Sequence, residues 1–116
     1  MHGDEERVAS AYAGWLEANG WTVQREVDFA DVYAERGQER LYAEAKGRTI
    51  AIGLDVDTLY GQLLRRMKDP ASGARYAVVV PTAALKAALR VPAWVRDRLA
   101  VDVYEVDDNG VVHPHS

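Results

Sequence analysis

Between residues 30 and 46, polar and apolar positions alternate on either side of Gly37-Gln38, a pattern that predicts a β-hairpin. Gly at the first central position suits a type II′ turn, whose twist matches that of the strands. A two-residue loop sets Glu35 opposite Arg40, Tyr33 opposite Tyr42 and Asp31 opposite Glu44. With a side-chain period of two, Lys46 joins the face of Glu44. The other face, Val32, Ala34, Leu41, Ala43 and Ala45, is apolar and small enough for a helix to approach closely.

The flanking patterns supply the remaining elements. Residues 4–19 read as a helix with Asp4 as N-cap, a stop at Asn19-Gly20 and a buried stripe of Val8, Ala11, Tyr12, Trp15 and Leu16. Trp21 to Glu26 predicts a strand leading into the hairpin. Thr49-Ile50-Ala51-Ile52 reads as a short strand or an extended connection. Asp57 or Thr58 then caps a helix whose Leu59, Leu63 and Met67 recur at helical spacing until Asp69-Pro70 ends it. Tyr76 to Val80 is the apolar run of a strand buried on both faces. Thr82 is expected to cap a helix to about Leu89, and Pro92 to open another short one carrying Trp94 and Leu99. Val101 to Val106 alternates as a strand. A turn and a polar tail follow, with 113–116 expected to be flexible. The order α-β-β-β-α-β-α-β predicts a single α/β domain over 1–116, a sandwich with a central mixed sheet flanked by helices.

Composition narrows the function classes. The chain has 116 residues, 48% of them hydrophobic and 28% charged, as expected of a globular domain. It contains no apolar run of the ~20 residues a membrane helix needs, and its polar N-terminus is unlike a secretory signal. The absence of cysteine excludes disulfides and thiolate metal sites and fits a cytoplasmic protein. There is no phosphate loop, dinucleotide fingerprint or Ser-His-Asp logic, so no nucleotide cofactor is expected. The net charge of −4 is a handicap for nucleic-acid binding, which therefore needs local basic surface such as Arg65, Arg66 and Lys68.

The candidate chemistry lies on the hairpin. Exposed ribbons pair opposite charges, as Glu35 and Arg40 do, whereas Asp31 and Glu44 place two carboxylates roughly 5 Å apart, where they repel. A divalent cation between them turns that cost into a binding site. Mg²⁺ (or Mn²⁺) suits two oxygen ligands plus retained waters, and a nearby lysine stabilises charge developing on a phosphate. Tyr33 and Tyr42 flank the carboxylates, positioned either to stack on a base or sugar or simply to stabilise the ribbon.

An Asp on one strand, a Glu-Ala-Lys on the next and an acidic helix before them resemble the PD-(D/E)XK, or restriction-endonuclease-like, nucleases. The helix followed by Gly20-Trp21 is similar to the Holliday-junction-resolvase-like branch. Ala30 stands where the family often has proline. The resemblance implies that Asp31 and Glu44 are metal ligands, that Lys46 is the catalytic lysine, and that Gln62 matches a glutamine many such nucleases carry. It also implies a further carboxylate from the first helix, Glu5 or Glu6; the helical wheel favours Glu5. The implied function is Mg²⁺-dependent hydrolysis of DNA phosphodiester bonds, by a homodimer or with a protein partner. The alternative is an inactive nuclease-fold module that binds or assembles within a repair or defence complex.

Overall fold

The computed structural model describes residues 2–27, 30–68 and 73–115. Helix α1 (His2–Ala18) precedes a meander of β1 (Thr22–Val27), β2 (Ala30–Arg36) and β3 (Glu39–Ala45). Helix α2 (Ile52–Arg65) crosses to β4 (Arg75–Pro81). Helices α3 (Thr82–Ala88) and α4 (Ala93–Leu99) cross to β5 (Val101–Val106), and β6 (Val112–His115) follows. The six strands form one sheet in sequential order. Pairing is antiparallel from β1 to β3 and between β5 and β6, but parallel for β3–β4 and β4–β5. The parallel pairs are those joined through helices, since a parallel step needs a long crossover. An open mixed sheet flanked by helices is consistent with the restriction-endonuclease-like architecture that the resemblance implied.

Two cores sandwich the sheet. On one face Val8, Tyr12 and Leu16 of α1 pack on Val32, Ala34, Ala43 and Ala45 of the hairpin and on Ala77 and Val79 of β4. On the other, Val56, Leu59 and Leu63 of α2 and Ala84 and Ala88 of α3 cover Tyr76, Val78 and Val80. Strand β4 is therefore buried on both faces, which its apolar run predicted. Each such aliphatic side chain contributes about 1.5–3 kcal/mol on burial. The hairpin has the expected register, with Glu35 opposite Arg40 and Tyr33 opposite Tyr42. Gly37 sits at φ 61°, as the first central residue of a type II′ turn requires.

Several local expectations are corrected. Helix α1 already includes Asp4, whose carboxylate is no cap and instead takes the Arg48 N–H and the Arg7 Nε–H, the latter at 3.1 Å. Helix α2 begins at Ile52, well before Asp57 or Thr58, because its buried stripe extends back to Val56. Pro81 holds the N-cap position of α3, and the Thr82 hydroxyl donates to Glu105 at 2.6 Å instead. The expected stop at Asp69-Pro70 lies outside the described residues. Residues 112–115, read as part of a polar tail, form an edge strand. Val112 enters the α1-side core, and Asp107 organises the preceding turn by accepting the N–H groups of Asn109 and Val111, each at 2.9 Å. His113 then meets Asp107 at 2.8 Å and His115 meets Glu105 at 3.0 Å. No helix among the described residues is long and apolar enough to cross a membrane.

Candidate active site

The chemistry gathers where β2 and β3 run out of ladder. The ladder between the two strands reaches Val32 opposite Ala43; one step further, the Asp31 carboxylate accepts the backbone N–H of Ala45 at 2.7 Å. That contact fixes Asp31 against the end of β3 and against Glu44, to which it is hydrogen-bonded. Glu44 is one of two charged residues that are buried among the described residues. Burial first, then the negative charge and hydrogen bond of Asp31, push its carboxyl up from 4.5 to about 7, while Arg66 pulls the other way. The repulsion expected from the strand pairing is thus present, and the site relieves it by holding a proton near neutral pH.

Arg66, the C-cap residue of α2, places Nε 3.1 Å from Glu44 Oε1. The sequence reading put Arg66 on a basic surface run, and this is a correction in placement: its guanidinium belongs to the carboxylate cluster. A signal for it existed. Arg66 follows Leu63 by three positions and Leu59 by seven, so the helical wheel sets it on the buried stripe. Arg65 and Lys68, by contrast, are exposed. Gln62 stands half-buried one turn before Arg66 on the same side of α2.

Lys46 lies one residue past β3, where its backbone N–H donates to Val79 at 3.0 Å. Its Nζ sits 4.0 Å from Oε1 of Glu5 in the first turn of α1. The close approach depends on Gly47, where an added Cβ would fall 2.5 Å from the Glu5 backbone nitrogen. Glu6 points elsewhere, bonded to Arg25 at 2.9 Å and to Ser10 at 2.9 Å. Between the two acidic residues, Glu5 is therefore the one beside Lys46. Arg25 in turn donates Nε–H to the Asp31 backbone oxygen at 3.2 Å, tying β1 to the site.

Tyr33 and Tyr42 pack with tilted rings, 4.9 Å between centroids, and Tyr42 continues the row by stacking on Tyr76 at 5.9 Å. Their contacts are with one another and, through the Tyr33 hydroxyl, with Glu35 at 2.6 Å. Among the described residues no three His, Asp or Glu side chains converge as a ready-made metal cage. A groove beside the α1 N-terminus, lined by Arg7, Arg48, Ile50 and Asp55 among others, does not include the carboxylate pair.

No known protein-family model matches the chain, and no curated protein matches it. Among solved structures, it is similar to an XisH family protein from Nostoc punctiforme, with a TM-score of 0.64 and 20% sequence identity. The match covers 92% of this chain and 96% of that one. At that identity the likeness shows a shared fold and no more.

Proposed function

We propose that this protein is a small Mg²⁺-dependent nuclease that hydrolyses DNA phosphodiester bonds. The observation that carries the reading is the held contact between Asp31 and Glu44, two carboxylates kept together although their charges repel. Hard oxygen donors fit Mg²⁺, and a pair of carboxylates fits an ion that keeps several of its waters. Bound there, the ion would supply Lewis-acid stabilisation of charge on the phosphate oxygens.

The chain's own residues provide the rest. Asp31 and Glu44 would hold the cation, with Asp31 oriented by the Ala45 N–H. The Lys46 ammonium, paired with Glu5, offers positive charge and donors to the phosphate in its transition state. Gln62 offers an amide to orient the attacking water. Hydrolysis adds that water's oxygen to phosphorus, breaks the bond to the leaving sugar oxygen and delivers a proton to it.

One observation favours a second reading, an inactive relative serving assembly: Arg66 already forms an ion pair with Glu44 at 3.1 Å. The test is cleavage of linear, circular, single-stranded and branched DNA with Mg²⁺ or Mn²⁺. Asp31→Ala, Glu44→Ala and Lys46→Ala, each checked for native circular dichroism, are expected to abolish activity. Full activity in all three variants, or none in the parent on any DNA form, sinks the nuclease reading.

A further inference from the structure

We infer that Arg66 is a resident counter-ion that closes the proposed metal site, and that metal can occupy Asp31 and Glu44 only after the guanidinium has left Glu44. This deepens the nuclease reading and rests on it. The side chain of Glu44 is 5% exposed, whereas that of Arg66 is 27% exposed. The carboxylate lies at the bottom and the guanidinium at the mouth, with Nε seated on Oε1 at 3.1 Å. A cation that keeps several waters needs an open approach to a carboxylate oxygen. Here that approach is filled by a group of the same sign.

Charge balance leads to the same place. Asp31 and Glu44 together carry at most two negative charges, and the Arg66 guanidinium seated on Glu44 offsets one of them. A divalent cation neutralises both carboxylates alone. A guanidinium still on Glu44 would then be an excess positive charge beside a divalent ion, on a carboxylate largely shielded from water, where like charges repel more than in bulk solvent. The two cations therefore exclude each other. The position of Arg66 permits the exchange. It is the C-cap of α2, so its side chain can swing outward without breaking the helix, and the negative end of the helix dipole continues to favour its charge.

The consequence is that Arg66 weakens metal binding, the opposite of what a basic residue contacting only substrate would do. The test is Mn²⁺ binding by calorimetry and electron paramagnetic resonance, without DNA, to the parent, Arg66→Gln and Asp31→Asn. Arg66→Gln is expected to bind Mn²⁺ roughly tenfold tighter or more, the ratio expected for losing one competing ion pair of about 1.4 kcal/mol. Asp31→Asn should lose binding. Should Arg66→Gln fail to fold, the parent crystallised with Mn²⁺ serves instead, and its Arg66 is expected to have moved off Glu44. Equal or weaker Mn²⁺ affinity in Arg66→Gln, or Mn²⁺ on Asp31 and Glu44 with Arg66 still in place, overturns this inference and leaves the metal-site reading standing. No Mn²⁺ bound by either protein overturns both.

Discussion

The Asp31 carboxylate accepts the backbone N–H of Ala45 at 2.7 Å while lying against the side chain of the residue before it, Glu44. One short contact thus does two opposed things. It completes the end of the hairpin, and it forces a negative charge onto a buried acid. Asp31→Asn separates the two, because the amide oxygen can still accept from Ala45 while the charge is gone. Removing the charge is expected to raise stability at about pH 8 by roughly 1 kcal/mol, the scale typical when a strained functional site is relaxed. Cleavage should fall by about a hundredfold or more, the scale of losing one preorganised electrostatic partner. Denaturant melts and a cleavage assay read both. A destabilised Asp31→Asn would mean that the hydrogen bond, not the repulsion, dominates.

The raised pKa of Glu44 makes stability depend on pH in a set direction. Below 4.5 the group is protonated in both folded and unfolded chains and costs nothing. Between 4.5 and about 7 the unfolded chain has released its proton and the folded protein has kept it, so folding takes up a proton and stability falls as pH rises. The loss across the window is on the order of 3 kcal/mol, at about 1.4 kcal/mol per pKa unit. Asp4, Glu105 and Asp107 have lowered values and act with the opposite sign at lower pH, so the windows separate. Urea melts in chelator from about pH 5 to about pH 8 should show the decline in the parent and a flatter profile in Glu44→Gln. Parallel profiles would place the proton uptake elsewhere.

Gly47 sets the distance between the end of β3 and α1. An added Cβ would meet backbone, 2.5 Å from the Glu5 nitrogen and 2.9 Å from the Asp4 carbonyl carbon, and backbone does not step aside as a flexible side-chain tip would. Gly47→Ala is expected to cost about 1–3 kcal/mol, as overpacking does. It should also lower activity more than an equally destabilising core change such as Leu16→Ala, because it moves Glu5 off Lys46. Thermal melts and cleavage rates for both variants make the comparison; equal loss of activity would reduce Gly47 to a packing residue.

The hairpin was legible in the sequence because a period of two and a glycine at the turn fix its register, and Asp31 facing Glu44 follows from that register alone. Strand β4 was legible because burial on both faces leaves an unbroken apolar run. Strand β6 was not. Its His113 and His115 are polar letters whose partners, Asp107 and Glu105, are supplied by the neighbouring turn and strand, so composition resembles a tail until the pairing is known. The start of α2 was misplaced because Ala51 caps it without any side-chain hydrogen bond, leaving no residue-type signal. Arg66 was hidden differently: it sits in a run with Arg65 and Lys68, and only the phase fixed by Leu59 and Leu63 shows which basic residue turns inward.

That phase argument applies equally to the two glutamates of α1. Glu5 and Glu6 are adjacent in sequence and a helix turns about 100° per residue, so only one can face the site. Glu5 Oε1 lies 4.0 Å from Lys46 Nζ, while Glu6 is 61% exposed and taken up by Arg25 and Ser10. An exposed pair such as Glu6–Arg25 contributes little to stability and nothing to a reaction it does not face. Glu5→Gln is therefore expected to lower the cleavage rate about tenfold, because Lys46 loses the carboxylate that orients it, with the melting temperature nearly unchanged. Glu6→Gln should leave both rate and melting temperature near those of the parent. Running the two variants side by side at several Mg²⁺ concentrations tells a ligand from an orienting group. A defect in Glu5→Gln that excess Mg²⁺ repairs makes Glu5 a metal ligand, and one that persists makes it the partner of Lys46. If Glu6→Gln proves the damaged protein instead, the carboxylate contributed by α1 is Glu6 and the position of Glu5 beside Lys46 is structural.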